Sequence, residues 1–315
     1  MLEEASRMST AYITHPSSLR HEMGPGHPEC PERLSAIQDH LLMRGLLDLM
    51  PPYDAPAATH EQLARVHDSL YIAQLIDSAP TEGYFHVDPD TQMNPYTLQA
   101  AYHAAGAAVL AAELVVRGEV QSAFCNVRPP GHHAERGQAM GFCFFNNVAV
   151  GIAHALEALG IERIALADFD VHHGNGSENI FAGDERVLMV STFQHPLYPY
   201  LGDVPQGPNM VNVPLAARTG GEAMRAAVLD RWLPALDEFR PQMIFISAGF
   251  DAHREDDMAN LGWVESDYAW ITRHLKDVAE RHCGGRIVST LEGGYDLSAL
   301  PRSVAAHLKV LLGAD

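Results

Sequence analysis

Apolar residues fall into short runs rich in Val, Ile and Phe that stop abruptly at turn residues or polar clusters. TAYITH (10–15), SAFCNV (122–127), RIALADFD (163–170), RVLMVST (186–192), QMIFISAG (242–249) and RIVSTLEGG (286–294) are of this kind, and such runs predict buried strands. Between many of them the apolar spacing turns helical, over 147–159, 221–239, 266–282 and 298–312. Strands alternating with helices imply a parallel sheet covered on both faces. The longest apolar stretch, AAGAAVLAA (104–112), is Ala-rich and closes at Glu113, so it predicts a buried helix rather than a membrane span.

No composition shift, low-complexity tract or repeat divides the 315 residues, and one domain over 1–315 is expected. The acidic start, MLEEASRMSTAYITH, lacks the basic and apolar segments of a secretory signal. Cys30, Cys125, Cys143 and Cys283 are far apart with no C-x-x-C pair, which suggests small buried hydrophobes in a reducing cytoplasm. The 21 Lys plus Arg against 40 Asp plus Glu leave a formal net charge of −19. That disfavours nucleic acid as a direct partner and suits cationic ligands such as Lys-rich peptides or polyamines.

Sites in parallel α/β sheets gather at the carboxyl ends of the strands, where the following loops converge. Four predicted strand ends carry reactive groups: RPPGHH after SAFCNV, DFDVHHGNG after RIALA, AGFDAH after MIFIS, and EGGYD after RIVSTL. If the strand from 163 runs on through residue 172, its period of two puts Asp168, Asp170 and His172 on one face and Phe169 and Val171 on the other. His173 then points away and reads as structural. Two neighbouring carboxylates resist joint ionisation unless a cation or proton lies between them. Asp170 and His172 supply an oxygen and a nitrogen for a zinc-type ion, and Asp251 is the best third ligand. Fe(II) or Co(II) suit the same donors. D-x-D-x-H alone also describes a loop of Asx turns, but three further polar strand ends favour the metal.

His132 and His133, on a loop stiffened by Pro129 and Pro130, suggest an acid–base pair. Asp168 and Asn175 are candidates to orient the two rings. Tyr295, after two glycines, is placed to donate to an oxyanion.

RPPGHH, GFCFFNN, D-x-D-x-HHGNG, SAGFDAH and LEGGY, in this order and with HPECPERL (27–34) before them, resemble the histone deacetylase family over nearly the whole chain. Asn175 in HHGNG makes the class II branch and its bacterial relatives, including acetylpolyamine amidohydrolases, the nearest likeness. The resemblance implies an arginase–deacetylase fold, a mostly parallel sheet of about eight strands between helices, and zinc-dependent hydrolysis of an N-acetyl amide. Position by position, it gives zinc to Asp170, His172 and Asp251. It makes His133 the base that activates the attacking water and the acid that protonates the leaving amine. His132 with Asp168 acts electrostatically, and Tyr295 polarises the acyl carbonyl.

The same resemblance assigns Gly141, Phe142, Tyr198 and Met258 to the acyl-lysine channel and Arg33 to an internal acetate path. It also gives a structural K+ or Na+ site to Asp168, Asp170, His172, Ser191 and Thr192. Tyr198 stands where Phe is commoner, and Met258 stands where one polyamine-specific branch has an acidic gatekeeper. Asp257 replaces a frequent Pro. The loops near 15–30 and 80–95 are expected to form much of the rim. The implied substrate is an acyl-lysine peptide or protein, with an acetylated polyamine as the alternative and self-association left open. A non-catalytic acyl-lysine-binding module has no need of the acid–base pair, and an arginase-type two-metal site needs more carboxylate ligands than these strand ends carry.

Overall fold

A computed structural model describes residues 9–315, so the reading of the acidic start falls largely on residues 1–8, outside the described residues. Ten strands form: β1 (Thr10–Thr14), β2 (Pro52–Asp54), β3 (Phe85–His86), β4 (Gln92–Met93), β5 (Ser122–Cys125), β6 (Ile164–Asp168), β7 (Val187–Gln194), β8 (Met210–Leu215), β9 (Met243–Ala248) and β10 (Ile287–Leu291). Eight of them make one sheet in the order β2-β1-β5-β10-β9-β6-β7-β8, with every neighbouring pair parallel. β3 and β4 form a separate antiparallel ribbon. The expected sheet of about eight strands is therefore present.

Alternation along each strand divides the core into two layers, as a sheet buried on both faces requires. In β6, Ile164 and Leu166 join the layer capped by helices Thr97–Val116 and Asn147–Ala158. Ala165 and Ala167 join the layer beneath helices Glu32–Met43, Glu265–His282 and Ala299–Leu312. Residues 104–112 lie inside Thr97–Val116; this helix has the length and hydropathy to cross a membrane, yet packs largely within the fold. The helix expected over 221–239 contains a π turn at Val228–Trp232, just ahead of Pro234, which has no N–H for the helical ladder.

One expectation is corrected at the strand that matters most. β6 ends at Asp168 and does not reach residue 172. Side chains replace the ladder there: Asp168 Oδ1 accepts from Asp170 N (3.1 Å), and Asp170 Oδ1 accepts from His172 N (2.9 Å). The alternation of faces nevertheless persists, because Phe169 and Val171 remain in the layer of Ala165 and Ala167. Neighbouring strands also keep hold of the segment, through Phe169 N to Ser247 O and Gln194 N to Val171 O.

Candidate active site

The loop after β5 carries the two histidines, which are buried and have ring centroids 4.0 Å apart. His132 Nδ1 is 3.1 Å from Asp168 Oδ2, and its Nε2 is 3.8 Å from Asp170 Oδ1. Burial opposes a charge on His132, but the carboxylates of Asp170, Asp168 and Glu292 outweigh it and raise its pKa to about 10. His133 differs. Its Nδ1 lies 2.7 Å from Asn175 Oδ1, while Asn175 Nδ2 donates to Glu135 Oε1 at 2.8 Å. The amide oxygen therefore faces the ring, Nδ1 carries the imidazole proton, and Nε2 is left to accept one. Burial and the positive neighbours His132 and His172 hold His133 well below the ordinary histidine pKa.

Asp170, His172 and Asp251 each turn one ligand atom into a common space, all within 4.8 Å of one another. His172 Nδ1 is 3.1 Å from Asp170 Oδ1 and 3.2 Å from Asp251 Oδ2. The remaining carboxylate oxygens take backbone donors, Gly293 N on Asp170 Oδ2 (2.8 Å) and Val171 N on Asp251 Oδ1 (3.0 Å). Asp251 Oδ2 is buried without a hydrogen-bond donor among the described residues. A β-carbon on Gly293 would stand 2.1 Å from Asp251 Oδ2 and 2.6 Å from Asp170 Oδ2, so only glycine lets this backbone approach. Burial opposes charge on His172, but the neighbouring carboxylates of Asp170 and Asp251 outweigh it and raise its pKa to about 10. Two carboxylates closing on one imidazole, one oxygen lacking a donor, fit a divalent cation with O, N and O donors.

Above these groups opens a pocket of about 180 Å³ lined by Asp90, His133, Gly141, Phe142, His172, Leu197, Tyr198, Tyr200, Met258 and Tyr295. Phe142 has φ of +68°, a strained conformation for a bulky residue. Packing holds it there, with its ring edge-on to His27 at 4.7 Å and to Tyr295 at 5.9 Å. Gly141, at φ +56°, lies so close to His133 that a β-carbon would come within 2.4 Å of the ring. Tyr198 stands edge-on to His133 at 5.2 Å. Burial holds the Tyr295 phenol well above its usual pKa, against the pull of Arg33, so it stays a donor.

A family model described as "Histone deacetylase domain" matches residues 27–311. The chain belongs to the histone deacetylase family. Among curated relatives of this family, a "Probable deacetylase" of Archaeoglobus fulgidus is 38% identical over 98% of this chain and 88% of its own length. A "Histone deacetylase-like amidohydrolase" of Pseudomonas aeruginosa is 38% identical over 91% of this chain and 77% of its own. The crystal structure of the HDA15 HD domain superposes with a TM-score of 0.91 at 35% identity, covering 97% of this chain and 90% of that one. The fold is thus the arginase–deacetylase fold of histone deacetylases, as the motifs imply.

Other expected positions fall as follows in this member of the histone deacetylase family. Arg33 is wholly buried: Nε donates to Gly294 O (2.6 Å), Nη1 to Glu29 Oε1 (3.0 Å) and Nη2 to Glu292 O (2.5 Å), and its guanidinium carbon is 4.8 Å from the Tyr295 ring centre. Ser191 pairs in register with Asp168 and gives its hydroxyl to Asn212; Thr192 Oγ1 has no partner among the described residues. His173 turns from the ligand group to Glu178 Oε2 at 2.7 Å. Cys125, Cys143 and Cys283 are buried as expected, whereas Cys30 is only partly so. The rim expectation is half right: Asp90 lines the pocket, but 15–30 reaches it only through His27, which packs on Phe142 and meets Asp90 O.

Three contributors receive no role from the sequence. Asp256 accepts from the backbone N–H groups of Met258, Tyr295 and Asp296, tying the Met258 loop to the phenol. Tyr200 joins the pocket wall although 70% exposed. Glu292, within LEGGY, is buried against the histidine loop.

Proposed function

We propose that this protein is a metal-dependent amidohydrolase that removes an acetyl or other short acyl group from acyl-lysine side chains or similar N-acylated amines. One observation carries the reading: His133, whose Nδ1 is held by Asn175, lines one pocket with the Tyr295 phenol and with His172 of the Asp170–His172–Asp251 donor group. Asp170, His172 and Asp251 would hold zinc, or Fe(II) or Co(II), and the bound ion supplies Lewis acidity to the reacting oxygens. A K+ or Na+ ion beside Asp168, Asp170, His172, Ser191 and Thr192 belongs to the same proposal.

His133 Nε2 takes the proton of the attacking water and returns it to the leaving amine. His132, charged beside Asp168, stabilises the negative charge that builds on the carbonyl oxygen. Tyr295 donates its hydroxyl to that oxygen. Phe142, Tyr198, Leu197 and Met258 clothe the alkyl chain and keep water from it. Arg33, behind Tyr295, serves the path by which the carboxylate product leaves.

The test is acetate release from an acetyl-lysine peptide and from acetylated putrescine and spermidine, with metal content measured on the same preparation. Turnover abolished by a chelator and restored by the metal is expected. The uncharged Met258 at the wall favours the peptide over the polyamines. Metal-loaded protein that binds the peptide without releasing acetate would instead make it a binding module.

A further inference from the structure

Glu292 touches none of the reacting groups just described and bears on them only by adding, after Asp170 and Asp168, to the charge that favours protonated His132, yet it is a fully buried carboxylate at the centre of the site. Its Oε2 accepts from the backbone N–H of Gly131 (2.7 Å) and of His132 (3.1 Å), and its Oε1 accepts from Ser247 Oγ (3.2 Å). The main chain on either side is equally occupied. Glu292 N donates to Ala248 O, Glu292 O accepts from Arg33, and Gly293 N donates to the ligand carboxylate of Asp170.

The two N–H groups on Oε2 precede His133 in a loop with Pro129 and Pro130, outside any helix or strand. Without the carboxylate they would be buried donors with no partner, which disfavours the present course of the loop. The peptide planes they belong to set where the His132 and His133 rings stand relative to the ligand group. Misplacement by about 1 Å in such a constellation can cost on the order of 10²-fold in rate.

We infer that Glu292 is a positioning residue for the histidine pair, its carboxylate clamping the Gly131–His132 backbone to the strand ends that carry Asp251 and Tyr295. The role rests on the hydrolytic reading above, and it depends on reach rather than on charge. Burial raises Glu292 to about 7; a protonated carboxyl, like an amide, still accepts both N–H groups with one oxygen while its other end donates to Ser247 Oγ. A side chain shorter by one methylene cannot span the distance.

Glu292→Gln and Glu292→Asp separate the two ideas. Gln keeps the reach and drops the charge; Asp keeps the charge and drops the reach. On an acetyl-lysine peptide, Glu292→Gln should retain kcat within about fivefold of wild type, whereas Glu292→Asp should lose on the order of 10²-fold in kcat. KM and metal content should hold within about twofold in both, which a general loss of structure would not allow. The opposite order would make the charge, not the clamp, the function of Glu292. Equal kcat in both variants would leave it a packing residue.

A second readout needs no substrate: hydrogen exchange over residues 128–134 should be faster in Glu292→Asp than in wild type or Glu292→Gln. If wild type releases no acetate the hydrolytic reading fails, while exchange still decides the clamp; equal exchange in all three proteins overturns it. Ser247→Ala, which removes one anchor and leaves the carboxylate, supplies the same exchange test if Glu292→Asp does not fold.

Discussion

Replacing Asn175 with Asp puts a carboxylate where His133 now meets a neutral acceptor at 2.7 Å. The ring is held neutral, well below the ordinary histidine pKa, by burial and by the positive His132 and His172. A new negative charge about 4 Å from an imidazolium interacts with it by about 4 kcal/mol at an effective dielectric of about 20, or roughly three pKa units. Part of this is absorbed. The added carboxylate would lie beside Glu135, to which Asn175 Nδ2 now donates, and like charges together with burial raise its own pKa. A net rise of about one to two units at His133 is therefore expected. A general base works only unprotonated, so the acid limb of kcat/KM moves to higher pH by the same amount. Profiles on an acetyl-lysine peptide from about pH 5 to about pH 9, with metal content matched, measure it. An acid limb within about 0.3 unit of wild type would refute the assignment of Asn175 and His133 as partner and base.

Removing the hydroxyl in Tyr295→Phe should lower kcat by about 10²–10³ with KM little changed, and wild-type turnover would exclude an oxyanion role for the phenol. Gly293→Ala drives a β-carbon to 2.1 Å from Asp251 Oδ2; metal retained after dialysis should fall at least about tenfold, and full occupancy would show that the ion binds elsewhere. On the far side of the sheet, His307 is wholly buried between Thr272 Oγ1 (2.7 Å) and Ser289 Oγ (2.9 Å), and burial lowers its pKa to about 3. Its folded pKa is depressed, so the unfolded chain binds the extra proton: stability is fully present above about pH 6.5 and is lost as pH falls toward about 3, by up to about 5 kcal/mol. His307→Gln should flatten that acid slope in denaturant titrations, and an unchanged slope would show that His307 carries none of it.

Much of this was legible in the sequence because the sheet is parallel and buried on both faces, so its central strands are uninterrupted apolar runs. All six predicted runs form strands with ends shifted by a few residues. β2 and β8, at the two edges, were not predicted. β2 is three residues, Pro-Tyr-Asp, and β8 carries Asn212 and Pro214, so neither has the pattern of a buried strand. At the site, residues that announce themselves are those whose chemistry is out of place beside an apolar run: Asp170, His172, Asp251 and the histidine pair. Asp256 and Glu292 were illegible for the opposite reason. Each is an acid outside any helix, strand or turn, and its meaning lies in backbone N–H groups; for Glu292 they belong to Gly131 and His132, about 160 positions away.

Sequence order also conceals why these groups meet. His132 and His133 follow β5, Asp168 closes β6 with Asp170 and His172 just beyond it, Asp251 follows β9 and Tyr295 follows β10, yet in the sheet the order is β5-β10-β9-β6. The last two strands to be made insert between the first two, so four motif-bearing ends become adjacent and open on the same edge. That places Asp168, Asp170, Asp251, Asp256 and Glu292 in one buried region, where unpaired ionised carboxylates are very costly. Backbone N–H groups answer most of that charge: those of residues 170, 171, 172 and 293 serve the aspartates near the ligand group, those of 131 and 132 serve Glu292, and those of 258, 295 and 296 serve Asp256. The carboxylate oxygen left without a donor is Asp251 Oδ2, facing His172. Backbone N–H groups, with the His132 ring on Asp168 and the Ser247 hydroxyl on Glu292, have thus met the demand of these five carboxylates for partners except at Asp251 Oδ2, the point where a bound cation would complete it.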